Sequence, residues 1–142
     1  MLFRSLELAE GHSFARGFVN SGRLSSAISY PASTLNTPDA DLWAGGPAPG
    51  SPAIDAPLAS GWLIDRLGGQ FSLLADGWRH PTPDGVKLID IEGAPGADLI
   101  RTRYDLSLRS AYLLRPDQYV AARWRRPTEE HLTQALARAR GE

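Results

Sequence analysis

From Ser110 to Arg126 the chain reads SAYLLRPDQYVAARWRR, two extended runs of apolar residues around a short polar break. The runs are Ala111 to Leu114 and Tyr119 to Trp124, and the break is Arg115-Pro116-Asp117-Gln118. Pro presets φ for the first corner of a tight turn and Asp suits the second, so the stretch predicts a β-hairpin whose turn residues Arg115, Pro116 and Asp117 are structural. In the second run Tyr119, Ala121 and Arg123 alternate with Val120, Ala122 and Trp124, a period of two that sends one set to a core and the other toward solvent. Behind the hairpin a terminal helix is predicted from Pro127 to Gly141. Thr128 is its N-cap, Glu129 and Glu130 fill its first turn, Leu132, Ala135, Leu136 and Ala139 form its apolar stripe, and Gly141 ends it.

Upstream, Phe71 to Ala75 (FSLLA) is a compact apolar run, as expected of a strand buried on both faces. Val86 to Ile91 (VKLIDI) is a second strand with alternating character. The chain turns over Gly77 to Gly85 between them. A parallel pair ordinarily needs a longer crossover, so the link is tight and holds one helical turn, or the pair is antiparallel. Gly61 to Leu67 predicts a short amphipathic element, Ala97 to Tyr104 a helix of one or two turns, and Ile28 to Tyr30 a short strand. The elements together describe an α/β domain.

Residues 31–58 read differently. They hold Pro31, Pro38, Pro47, Pro49, Pro52 and Pro57 with Gly45, Gly46 and Gly50, which makes them a linker or a loop wrapped on a surface, with Leu42 and Trp43 as its anchors. Residues 1–30 lack sustained periodicity and read as the remnant of an upstream domain, the chain being a fragment. Leu2-Phe3-Arg4-Ser5 is also what the end of a common sequencing adapter, CTCTTCCGATCT, encodes in one frame, so Met1 to Ser5 is set aside from fold reasoning. Residues 59–142 form the folded domain.

Composition narrows the chemistry. In 142 residues the net charge is -1, which points to neither a nucleic-acid binder nor a trap for acidic substrates. The halves differ: residues 1–100 hold six basic and eleven acidic residues, and residues 101–142 nine arginines against five acids. That asymmetry reads as internal or inter-domain complementarity. No cysteine is present, which removes disulfides, thiolate-bound zinc and thiol redox catalysis. With no long apolar run and no signal-peptide core, a cytoplasmic location without membrane contact is the default expectation. One lysine against fourteen arginines suits a GC-rich bacterial genome.

Candidate reactive groups are sparse. His12, His80 and His131 have no partner at useful spacing and read as surface groups. Asp39/Asp41 and Asp90/Glu92 lie two apart and read as solvated charge rather than paired catalytic carboxylates or metal ligands. No GxSxG elbow, dinucleotide GxGxxG or phosphate-cradling loop occurs. Arg123-Trp124-Arg125-Arg126 mixes cations with an aromatic, as single-strand nucleic-acid surfaces do, but arginine stems packed beside Trp124 explain it more simply. No catalytic, cofactor-binding or metal residue is assigned.

The string Ala111 to Trp124 resembles the YLxRPDxxVAxRW hairpin that closes FAD-dependent aromatic-ring hydroxylases of the phenol hydroxylase and 3-(3-hydroxyphenyl)propionate hydroxylase type. Pro49-Gly50 through Ala56-Pro57-Leu58, then Trp62-Leu63 to Phe71-Ser72-Leu73-Leu74, is similar to that family's PGxRAPxxxL…LLGxxFxLL passage. The likeness covers residues 22–142. It implies a thioredoxin-like C-terminal domain: a small mixed sheet with a C-terminal hairpin and terminal helix, lacking the redox cysteines. It further implies a parent enzyme using FAD and NAD(P)H to hydroxylate an aromatic ring, whose flavin motifs would lie before residue 1. On that reading this segment is non-catalytic, and its partners are the upstream FAD and substrate domains or a second copy. A stand-alone thioredoxin-like binding or dimerisation module is the alternative. Ser51-Pro52 departs from the family by standing where an arginine is usual, and the link over Gly77 to Gly85 is shorter than the family's helix-bearing connection.

Overall fold

The computed structural model describes residues 28–142. The expectations for His12, for Met1 to Ser5 and for most of residues 1–30 therefore fall outside the described residues. In chain order the elements are α1 (Leu63–Arg66), β1 (Phe71–Ala75), β2 (Val86–Asp90), α2 (Asp98–Tyr104), β3 (Ala111–Leu114), β4 (Val120–Trp124) and α3 (Glu129–Ala139).

The four strands form one sheet in the order β2-β1-β3-β4. β1 pairs parallel with β2, Phe71 opposite Val86 and Ala75 opposite Asp90. β1 and β3 are antiparallel, as are β3 and β4. This mixed open sheet with a terminal helix is compatible with a thioredoxin-like fold. The β1–β2 alternatives are thus resolved as parallel, and residues 76–85 contain no helix. A five-residue strand is roughly 17 Å long, and about five extended residues can retrace it, so the short link suffices without a helical turn. Its start is fixed by the Asp90 carboxylate, which accepts from the Gly77 amide at 2.8 Å and the Trp78 amide at 3.0 Å.

Each face of the sheet carries a core. Leu74, Ile89, Tyr112, Leu114 and Val120 pack against Leu63 of α1 and Ile100 and Tyr104 of α2. On the opposite face Leu73, Ala75, Ala111, Leu113, Ala122 and Trp124 meet the α3 stripe of Leu132, Ala135, Leu136 and Ala139. Each fully buried leucine contributes about 1.5–3 kcal/mol. Beyond the reach of α3, with no helix in the β1–β2 link, Leu88 is left partly exposed.

Two details of β4 differ from its sequence pattern. All five residues are buried, so no set faces solvent. The register also shifts: Leu113 faces Ala122 and Leu114 faces Val120, leaving Ala121 as the extra residue of a β-bulge. Val120 and Arg123 therefore share one face while Ala121, Ala122 and Trp124 belong to the other, which strict alternation does not give.

Solvent is kept off β4 by residues 31–58, the proline-rich stretch, which here acts as a strap. Gly50 N donates to Val120 O, Val120 N to Ser51 O, Ala53 N to Gln118 O and Thr37 N to Ala121 O, all at 2.8–2.9 Å. The strap thus satisfies the outer edge of β4 with irregular backbone, since Pro49 and Pro52 have no amide to extend a regular ladder. Ile28 to Tyr30 form no strand.

Candidate functional site

Where strap and hairpin meet, polar groups gather. Arg123 is 7% exposed and points from β4 toward the strap, where its guanidinium grips Asp39 at 2.7 Å and the Gly45 carbonyl at 3.1 Å. The Tyr112 hydroxyl, across the β3–β4 pair, donates to Tyr104 O at 2.7 Å. The Tyr104 hydroxyl both donates to Ile54 O (2.6 Å) and accepts from Ile54 N (2.8 Å), tying α2 to the strap. Beside them Arg125 pairs with Asp105 at 2.7 Å. Trp43 is held under both arginines, its ring centre 3.7 Å from the Arg125 guanidinium carbon and 4.6 Å from that of Arg123. A cation–π contact is worth about 0.5–1 kcal/mol where exposed and about 2 kcal/mol or more where desolvated, so buried Arg123 gains more per contact than half-buried Arg125.

The protonation behaviour is that of a tether. Burial pushes the Tyr112 hydroxyl up to about 12, against the opposing pull of Arg123, and pushes Tyr104 higher still. Burial would lower the Arg123 pKa, but its bonds to Asp39 and Tyr112 outweigh that and raise it. For Asp105 burial acts upward, yet the Ala44 amide, the Arg125 guanidinium and the Gly45 amide together hold its carboxyl below the ordinary range. Neither tyrosine is poised to give up a proton near neutrality.

The depressed Asp105 carboxyl has a stability consequence. Because the unfolded chain binds this proton more readily, its contribution is complete above the ordinary aspartate pKa and is lost as pH falls through the lower folded value. Urea unfolding is expected to show stability falling from pH 5 to pH 3, with a shallower fall in Asp105→Asn. Parallel slopes for the two proteins would contradict it.

The predicted site residues fall as follows. Pro116 and Asp117 occupy the corners of the hairpin turn, and Gln118 follows with φ 70°. Gln118 N donates to Arg115 O and Arg115 N to Tyr119 O, both at 2.8 Å, a type I turn closed by a left-handed residue. The Arg115 guanidinium sits 2.6 Å from the Asp117 carboxylate. His131 caps α3, its Nδ1 accepting from Thr128 N at 3.0 Å, and His80 lies edge-on to Trp78. The acids read as solvated charge are engaged instead: Asp39 by Arg123, Asp41 by the Arg125 amide, Asp90 by the link amides and Glu92 by Arg79. The arginine cluster stacks on Trp43 rather than beside Trp124, and of the two expected strap anchors only Trp43 serves, Leu42 being 92% exposed.

Tyr104, Tyr112 and Asp105 escaped sequence reasoning. The charge asymmetry pointed only to the neighbouring pairs, for Arg123–Asp39 and Arg101–Asp76 each join the basic segment to the acidic front.

The described residues do not fit a dinucleotide cofactor. A cleft of about 590 Å³ lies between Leu35, Trp124 and the outer side of α3, with no glycine loop entering a helix. The N-terminus of α3 is closed by its own Thr128–His131 capping box. Among the described residues no three His, Asp or Glu side chains are placed to hold a metal, and no helix is long and apolar enough to cross a membrane.

No protein-family model and no curated protein sequence matches the chain. Solved structures do. The flavin-dependent monooxygenase PieE, in complex with FAD and substrate, aligns with a TM-score of 0.62 and 20% identity over 89% of this chain and 28% of its own. Aklavinone-11 hydroxylase, in a ternary complex with FAD and aklavinone, gives 0.63 and 20% over 87% and 28%. RebC, a rebeccamycin biosynthetic enzyme, in its substrate-free form gives 0.59 and 24% over 91% and 25%. The chain spans about a quarter of the length of the structures it matches, where the fold it shares with them is a segment of a longer polypeptide.

Proposed function

We propose that the chain is the non-catalytic C-terminal domain of an FAD-dependent, NAD(P)H-using aromatic-ring monooxygenase, with packing or oligomerisation as its task. The observation that carries this reading is the alignment of some nine-tenths of the chain with about a quarter of two enzymes, PieE bound to FAD and substrate and aklavinone-11 hydroxylase bound to FAD and aklavinone. The polar network supports it, since its strongest interactions hold the strap to the hairpin and leave no proton-transfer pair. The Arg115-Pro116-Asp117 turn has a structural role on this reading. FAD and NAD(P)H belong to the parent enzyme, whose upstream FAD and substrate domains, or a second copy of the chain, are the partners. The setting is the bacterial cytoplasm.

The purified 142-residue chain is expected to be colourless and not to oxidise NAD(P)H. Flavin retained through purification would overturn the proposal. Genomic sequence upstream of Met1 separates it from the stand-alone module: an in-frame FAD domain supports the first, a stop codon just ahead of Met1 the second.

A further inference from the structure

At the carboxyl ends of the parallel strands β1 and β2, the chain leaves β1 through Gly77 and Trp78 and forms a small cleft. Arg79, His80, Arg109, Arg126 and Pro127 complete it, enclosing about 150 Å³. Crevices outside the carboxyl ends of strands are where open α/β sheets bind ligands. Three arginines and a histidine line this one.

The local charges do not cancel. Of the nearby acids, Asp76 is held by Arg101, Glu92 by Arg79, and Asp90 by the amides of Gly77, Trp78 and Glu92. Arg79, Arg101, Arg115, Arg123 and Arg125 each hold a carboxylate. No carboxylate among the described residues pairs with Arg109 or Arg126. Trp78, 9% exposed, forms part of the cleft wall, its indole Nε1 shut off from solvent. Arg109 is held at φ 77°, a left-handed conformation costly for a side chain of its size, with its amide fixed on Asp76 O.

The geometry points to a binding site for a compact oxyanion, a phosphate or carboxylate group, held by Arg109 and Arg126 beside Trp78. Guanidiniums suit either group through paired N–H bonds. The volume decides the ligand's size: drug-sized molecules occupy roughly 300–1,000 Å³, so a flavin or a polycyclic substrate does not enter here, whereas one anionic group does. The site is independent of the function proposed above and stands or falls without it.

The test is a titration of the ¹⁵N-labelled 142-residue chain at constant ionic strength, with inorganic phosphate in one arm and acetate in the other. The four tryptophans give separate indole signals, and Trp78→Phe identifies the one to follow. A saturable shift of the Trp78 indole in either arm, with the exposed Trp62 indole still, is expected, and the arm that saturates names the group. Arg109→Gln and Arg126→Gln should each weaken binding by about tenfold or more, the loss of a charged hydrogen bond. Arg138→Gln, a neutralisation outside the cleft, should change nothing. The backbone spectrum verifies that each variant is folded, and either cleft variant suffices for the comparison. A linear, unsaturable drift in both arms, or equal weakening by Arg138→Gln, would overturn the site.

Discussion

Arg123→Met is expected to lower folding stability by about 3 kcal/mol, one of the two largest losses the structure predicts for a single substitution. The guanidinium of Arg123 is almost wholly desolvated and serves Asp39, the Gly45 carbonyl and the Tyr112 hydroxyl at once. Methionine fills much of its volume but leaves the Asp39 carboxylate without its cation. Removing one partner of a buried ion pair costs about 3–5 kcal/mol, because the remaining charge stays desolvated. Asp39 is 30% exposed, which places the loss at the lower end. Removing the carboxylate as well should recover part of it: Arg123→Met with Asp39→Ala is expected to be at least about 1 kcal/mol more stable than Arg123→Met alone. Urea midpoints at unchanged slope provide the comparison. Equal midpoints for single and double variant would show that Asp39 is solvated well enough to do without its partner.

That the strap depends on one arginine bears on how much of the fold could be read along the chain. The four strands of the sheet, the terminal helix with its Thr128 cap and the hairpin turn are local events, set by apolar periodicity and turn chemistry, and they lie within a residue or two of their predicted limits, whereas the strand expected over Ile28 to Tyr30 does not form. What escaped was non-local. Whether β1 and β2 run parallel depends on how a glycine-bounded link is fastened at its start, and the fastener is Asp90, on the far strand. The burial of all of β4 depends on a strap that begins some ninety residues earlier. Proline and glycine content marked residues 31–58 as irregular, but nothing local says that Asp39 will find Arg123. The bulge at Ala121 is likewise invisible in an alanine pair, since either residue fits either face.

The same reasoning explains why the site was the less legible part. A catalytic constellation often announces itself by residue type and spacing, whereas Tyr104, Tyr112, Asp105 and Trp43 are ordinary residues whose importance arises only from convergence. Trp43 was marked only as an anchor of the strap, and the opposition of charge between the halves indicates that pairing such as Arg123–Asp39 occurs and not which residues pair.

Gly46→Ala is the second substitution expected to have a large effect, because there the strap passes closest to this network. Gly46 has φ 80°, and a Cβ at that position would meet the Tyr112 hydroxyl and lie 2.7 Å from the Tyr104 carbonyl oxygen. These two groups are hydrogen-bonded to each other, so neither can yield without breaking the bond that links β3 to the end of α2. The left-handed backbone alone costs an alanine about 1–2 kcal/mol. Displacing the strap or the two tyrosines adds to that, for a total of about 3 kcal/mol or more. Gly93→Ala isolates the second contribution, since Gly93 has φ 73° but open space around it. Thermal unfolding of the two variants should therefore place Gly46→Ala well below Gly93→Ala, with the wild type above both. Coincident melting temperatures for the two variants would mean that the strap gives way at no cost, and that Arg123, Tyr104 and Tyr112 do not hold it as tightly as their hydrogen bonds indicate.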